Sequence, residues 1–159
     1  MKRRLQLFVV LGTVAALVTP LALPAFAGDD GPAAQKRFAI GFRLNFTGPS
    51  SSAGPFSAAG AVSDSGNSNA TFKITPTKRD EGRLEGTQEF VGSTGSITAH
   101  FRGTAGPLSS PRATGRGRFR IVSGTGAYAG IEGQGRFLVI ADFTTGSVTG
   151  TYDGKLRHR

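Results

Sequence analysis

The chain has 159 residues, among them 24 glycines and 12 phenylalanines, and it contains no cysteine. The lack of cysteine excludes a disulfide framework, a thiol nucleophile and any thiolate-bound metal. The formal net charge is +9, and without Lys2, Arg3 and Arg4 the chain keeps 16 basic and 10 acidic residues, a net charge of +6.

Residues 1–27 are predicted to be a cleaved signal peptide. The basic start Lys2-Arg3-Arg4 precedes a mostly apolar run, and Ala25-Phe26-Ala27 supplies the small-x-small pattern at which signal peptidase cuts. The alternative is a single membrane anchor, because the apolar run is almost long enough to cross a bilayer. Cleavage before Gly28 predicts a secreted, extracellular protein with no membrane span.

Residues 28–36 are expected to form a flexible polar leader, and residues 37–157 a single domain of short strands. The clearest strand runs from Phe38 to Phe46, where every second residue is large and apolar. Such period-2 alternation is typical of a strand with one buried face. Further strands are expected at 56–62, 70–76, 83–91, 97–101, 116–121, 131–143 and 148–156.

Clusters of glycine, proline and serine are predicted to separate these strands. The seventh strand is expected to point Phe137, Val139, Ala141 and Phe143 inward. The predicted connections are a flexible loop at 48–55, a turn at 64–67, a tight connection at 92–95, a loop at 103–114 and a hairpin at 144–146.

No stretch after the signal peptide has helical periodicity, so the fold class is predicted to be all-β. Eight antiparallel strands in up-and-down order, each with one buried face, favour a closed barrel, because closure removes exposed strand edges. A two-sheet β-sandwich is the alternative. Glycines on the inner face leave space that either phenylalanines fill or an apolar pocket occupies. We expect a mostly filled interior with a pocket at one mouth.

A glycine-rich corner, Gly124-Thr125-Gly126-Ala127-Tyr128, is predicted to join the sixth and seventh strands, with Tyr128 capping a barrel end. Together with Gly133-Gln134-Gly135 and a closing hairpin from Gly146 to Tyr152, it resembles the allene oxide cyclase-like and dirigent-like barrel superfamily. The likeness covers residues 38–156 and is greatest to small exported bacterial members of unknown function. It implies a barrel fold and does not by itself imply a reaction.

Plant members of that superfamily cyclise an unstable epoxide or orient radicals during phenol coupling, with acidic and hydrogen-bonding groups inside the barrel. In this chain the acids are expected on loops or outward faces, namely Asp80, Glu81, Glu85, Glu89, Glu132 and Asp142. No catalytic residue, cofactor or metal site is therefore assigned. A cyclase or dirigent-type enzyme remains an alternative function, as does a purely structural exported protein.

The candidate ligand-binding residues are Gln88 and Tyr152, which are predicted to point inward, and Tyr128 at the rim. They either bond to each other or to the backbone in a core, or orient a small apolar ligand in the lumen. Binding of such a ligand, without catalysis, is one half of the leading hypothesis.

The other half is binding of an anionic cell-surface polymer. Arg116, Arg118 and Arg120 alternate on the outer face of the sixth strand, and His100, Arg102 and Arg136 are candidates to join them. Such a strip is either a solvated face or a docking surface for a polyanion. Nucleic acid is not expected as a partner, because the aromatic residues point inward and leave no stacking surface among the arginines.

Overall fold

The computed structural model describes residues 35–158. Eight antiparallel strands follow one another in up-and-down order and close into a barrel, which confirms the predicted fold class over the sandwich alternative. The predicted signal peptide, and most of the leader, lie outside the described residues. Within residues 35–158 no helix is long and apolar enough to cross a membrane. The strands are β1 (Lys36–Gly48), β2 (Ser51–Gly60), β3 (Asp64–Pro76), β4 (Gly82–Gly92), β5 (Ser96–Gly106), β6 (Arg112–Gly124), β7 (Ile131–Asp142) and β8 (Ser147–His158).

Alternation along each strand builds the interior. On β1 the apolar side chains from Phe38 to Leu44 are buried at every second position, and the residues between them face outward. Tyr152 is the largest fully buried side chain of the described residues, at 1% exposure. Its ring stacks on Phe119 with 4.5 Å between centroids and meets the rings of Phe42 and Phe90 edge-on. Aromatic side chains thus fill most of the lumen.

The prediction of a loop at 48–55 is wrong, because β2 already begins at Ser51 and only residues 49–50 connect it to β1. Pro55 lies within the strand. It is tolerated there because the β1–β2 pairing passes from Phe42–Phe56 to Asn45–Ala53 and skips Gly54 and Pro55. The N–H that proline lacks is therefore not needed by the β1–β2 ladder.

Two other connections are shorter than predicted. The turn expected at 64–67 lies at 61–63, and the loop expected at 103–114 is confined to 107–111. The glycines that indicated loops lie instead where neighbouring strands approach closely. A Cβ at Gly66 would overlap the carbonyl oxygen of Val91, and one at Gly103 would overlap that of Arg116.

Phe143, expected on the inner face of the seventh strand, lies just past the end of β7. It is 48% exposed, and its ring stacks on Phe46 with 5.7 Å between centroids. The strand ends at Asp142, whose carboxylate accepts hydrogen bonds from the backbone N–H groups of Thr144 and Thr145. Phe143 therefore covers the end of the barrel instead of filling its interior.

We predict that Gly117→Ala lowers the free energy of unfolding by about 1–3 kcal/mol, the usual range for overpacking. A Cβ there would overlap the carbonyl oxygen of Arg102 and press on the Phe137 ring. The measurement is urea unfolding. The matched control is Gly41→Ala, since a Cβ at Gly41 meets no atom within 4 Å. If both variants lost the same free energy of unfolding, the close approach of β5 and β6 at Gly117 would be contradicted.

Candidate functional site

The two ends of the barrel differ. One end carries the loops 61–63 and 93–95 and the glycine-rich corner 125–130, and we call it the corner end. The other carries the loops 49–50, 77–81, 107–111 and 143–146, and we call it the cavity end. The name reflects an apolar cavity that extends from there to the middle of the barrel.

The cavity has a volume of about 80 Å³. Ligand pockets usually measure about 300–1,000 Å³, and an engineered apolar cavity of about 150 Å³ holds one benzene. The space therefore encloses only a small group or the leading part of a longer molecule. Its walls are Phe42, Leu44, Phe46, Ser52, Ala70, Phe72, Ile74, Leu84, Gln88, Phe101, Ala105, Ala113, Gly115, Phe137, Val139, Ala141, Phe143, Val148 and Tyr152.

Small residues create this space. Ala70, Ala105 and Ala113 point inward from β3, β5 and β6, at positions where other strands carry phenylalanine or leucine. Phe46 and Phe72 lie nearer the end and are only partly buried. The cavity is therefore a narrow apolar recess whose outer part is bordered by partly exposed aromatic rings.

Gln88 and Tyr152, both predicted to point inward, lie at the inner part of this recess. Gln88 is 2% exposed and donates a hydrogen bond from Nε2 to Oγ of Ser68, over 2.9 Å. The Tyr152 hydroxyl makes no hydrogen bond with any other described residue. Burial raises the pKa of this phenol well above its usual value, so it stays a neutral donor at physiological pH. A ligand atom that accepts a hydrogen bond would satisfy it.

The walls of the cavity carry no charge at neutral pH. Within the described part of the chain, no aspartate, glutamate, histidine, lysine or arginine lines it. A general acid or base has to reach the reacting atoms with a pKa near the working pH. The raised pKa of Tyr152 lies outside that range.

Tyr128 lies at the corner end, as its place in the glycine-rich corner predicts, but away from Gln88 and Tyr152. It closes a short 3₁₀ turn, Gly126–Tyr128, in which Gly126 has a φ of +59°. Its hydroxyl donates to Oδ2 of Asp64 over 3.1 Å and lies 3.0 Å from Oγ1 of Thr94, which donates to the same carboxylate oxygen. Tyr128 does not line the cavity. It joins the corner to the opposite side of the barrel end.

Asp64 is the residue that sequence reasoning missed. Its carboxylate accepts from the backbone N–H groups of Ser65, Ser93 and Thr94, and from the hydroxyls of Ser93, Thr94 and Tyr128. These bonds, above all those from the Ser93 and Thr94 hydroxyls, hold the pKa of Asp64 far below its usual range. The sequence showed only an aspartate before a serine, whereas its partners Ser93, Thr94 and Tyr128 lie 29, 30 and 64 positions away. Asp64 thus joins the start of β3 to the 93–95 loop and to the glycine-rich corner.

Arg116, Arg118 and Arg120 are exposed on the outer face of β6, as their alternation predicts. Their strand neighbours bring further basic side chains to the same face, because His100 lies opposite Arg120 and Arg102 opposite Arg118. This outer surface is separate from the cavity, since none of these side chains lines it.

Comparison with protein-family models, with curated proteins and with solved structures finds no match to this chain. The resemblance to allene oxide cyclase-like and dirigent-like barrels thus stays a prediction from sequence motifs. The class of protein that the fold and site define is a small all-β barrel with an uncharged apolar recess at one end.

We predict that Asp64→Asn lowers the thermal midpoint at pH 7, because an amide nitrogen would face hydrogen-bond donors. The folded-state pKa lies below the unfolded value of about 3.9. The carboxylate therefore stabilises the fold above that pH, and this contribution is lost as the pH falls through the folded-state pKa. The difference in thermal midpoint between wild type and variant should therefore become smaller as the pH is lowered from 5 to about 2.

Glu89→Gln is the control for this experiment, since Glu89 points outward from β4 and makes no hydrogen bond to another described residue. Its thermal midpoint should stay close to that of the wild type. If the difference in thermal midpoint between wild type and Asp64→Asn did not change with pH, the stabilising role of the carboxylate would be contradicted.

Proposed function

We propose that this is a secreted, non-enzymatic binding protein whose barrel takes up a small apolar ligand with one hydrogen-bonding group. The observation that carries the proposal is the uncharged recess at the cavity end, with the Tyr152 hydroxyl and Gln88 at its inner part. In such a site apolar walls supply affinity, and a few polar groups fix the orientation of the ligand.

The volume of about 80 Å³ limits how the ligand enters. A leading group that accepts a hydrogen bond, such as a hydroxyl or carbonyl, reaches Tyr152. The carbon atoms behind it pack against Phe42, Phe101 and Phe137. The remainder of a longer molecule lies against Phe46 and Phe143 at the barrel end, where Phe143 is already 48% exposed.

The alternatives have less support from the geometry. A cyclase or dirigent-type enzyme needs a group that exchanges protons or steadies charge beside the substrate. Within residues 35–158 no carboxylate lines the recess, and Asp64 is engaged at the opposite end. A purely structural exported protein would need neither the recess nor a hydroxyl that faces it without a partner among the described residues. Both features favour binding.

The first experiment is isothermal titration with a series of primary alkanols from propanol upward. Each methylene that enters the recess contributes about 0.8 kcal/mol, so affinity should rise about fourfold per carbon. The rise should level off once the recess is filled. An affinity that climbs with the same slope through long chains would indicate adsorption to the surface and would contradict the recess as the site.

A variant that fills the recess sharpens this test. Ala113 is 4% exposed and lines the recess from β6, so Ala113→Leu should weaken alkanol binding at least tenfold while the barrel stays folded. The matched control is Ala39→Leu on the outer face of β1, where the residue is exposed. Equal affinities of the two variants would contradict the proposed site.

Tyr152→Phe separates ligand recognition from folding. Because the hydroxyl bonds to no described residue, its removal should change the free energy of unfolding by less than about 0.5 kcal/mol. Alkanol affinity should fall roughly three- to tenfold, the worth of one hydrogen bond. Calorimetry and urea unfolding measure the two effects. Unchanged affinity would show that the ligand does not reach Tyr152.

A further inference from the structure

Arg118 lies at the centre of a cross of five arginines on the outer face of the barrel. Arg116 and Arg120 stand two residues to either side of it on β6. Arg102 on β5 and Arg136 on β7 lie directly opposite it in the sheet. All five residues are exposed. We call this set the Arg118 cluster.

The register makes the cluster two-dimensional, which the alternation of β6 alone does not reveal. Adjacent strands lie about 4.8 Å apart, so the arm from Arg102 to Arg136 spans roughly 10 Å. The arm from Arg116 to Arg120 covers five residues of strand and, over four steps, spans roughly 13 Å. The five arginines are therefore spread over an area of roughly 10 Å by 13 Å, which is larger than one phosphate group.

Acidic residues on the neighbouring strands offset the positive charge of the cluster only in part. The salt bridges found among the described residues are Arg112–Asp142 and Arg157–Glu132, and neither involves a member of the cluster. Strands β5 and β6 contain no acidic residue. The nearest acids in register are Glu85, opposite Arg102, and Asp153, opposite Arg136, and they border the cluster on its two sides.

Such an arrangement costs stability. Like charges directly opposite each other on neighbouring strands repel, and here Arg118 has a like-charged neighbour on both sides. An anion bound from solution would relieve this repulsion. A groove of about 1360 Å³, whose walls include Arg102, Arg118, Arg120 and Arg136, leaves room for one. It extends to two further cations, Arg37 and Lys155, and also carries Glu85 and Asp153.

We propose that the Arg118 cluster binds a linear polymer that carries phosphate groups. The planar guanidinium group holds a phosphate through two parallel hydrogen bonds, and several of them arranged in a plane favour a chain of anions over one ion. The phenylalanines of β5, β6 and β7 on these rows, Phe101, Phe119 and Phe137, are buried. The face therefore offers no ring on which a nucleobase could stack, which argues against a single-stranded nucleic acid.

This inference is independent of the proposed apolar ligand, because no arginine lines the cavity. The probe is long-chain inorganic polyphosphate, titrated at low salt and followed by calorimetry. The test variant combines Arg102→Gln, Arg118→Gln and Arg136→Gln. The control combines Arg43→Gln, Lys73→Gln and Arg79→Gln, which removes the same net charge from exposed positions elsewhere.

The cluster variant should bind polyphosphate at least about tenfold more weakly than the wild type, and the control within about twofold of it. Each lost phosphate contact should reduce the slope of log affinity against log salt by about 0.7, so the slope should flatten by about 2. The substitutions remove the repulsion around Arg118 and also the attraction of Arg102 to Glu85 and of Arg136 to Asp153, so the thermal midpoint of the cluster variant should stay close to that of the wild type. The single variant Arg118→Gln should also bind polyphosphate more weakly than the wild type, by a smaller factor than the cluster variant.

Four results would overturn the proposal. The first is no binding of polyphosphate by the wild type, and the second is an equal loss in the cluster and control variants, which would show attraction by net charge alone. The third is tripolyphosphate binding as tightly as the polymer, which would indicate a site for a compact anion. The fourth is tighter binding of oligothymidylate, which would indicate a nucleic-acid surface.

Discussion

Pairing of the first strand with the last is the constraint on which the rest of this structure depends. β1 and β8 stay in antiparallel register from Lys36–Leu156 to Asn45–Ser147. This pairing gives every strand two neighbours and directs alternate residues of all eight strands into one lumen. The phenylalanines then meet around Tyr152, and the charged residues are left on the outer face. In a chain without cysteine, packing and hydrogen bonding alone hold this arrangement.

The two ends of the barrel differ in how their side chains cover them. At the corner end Tyr128 is buried and joined through Asp64 to the β4–β5 connection, so that end is closed. At the cavity end alanines replace large side chains, and the aromatic residues Phe46 and Phe143 are left partly exposed. The apolar recess therefore opens at the cavity end, with the neutral phenol of Tyr152 at its inner limit.

Sequence periodicity predicted those features that depend on local alternation. The buried face of β1, the inward direction of Gln88 and Tyr152, and the outward arginines of β6 all follow from a period of two residues. Strand ends were predicted less well, because Pro55 and Gly103 indicate loops in isolation. In the barrel they lie within strands, where a ladder is interrupted or two strands approach closely.

Features that depend on how the strands pair could not be predicted from the sequence. The bond between Asp64 and Tyr128 joins residues 64 positions apart, and the arm from Arg102 to Arg136 requires the pairing of three strands. The size of the cavity depends on which side chains share a level in the barrel. These features are also the ones that support function, so the fold followed from the sequence more completely than the site did.

Native mass spectrometry of protein purified from its own host tests whether the recess at the cavity end holds a ligand. We expect a population carrying one small apolar molecule, present in the Ala39→Leu variant and absent from the Ala113→Leu variant. Ligand-free protein alone, or a retained molecule that persists in Ala113→Leu, would contradict this expectation.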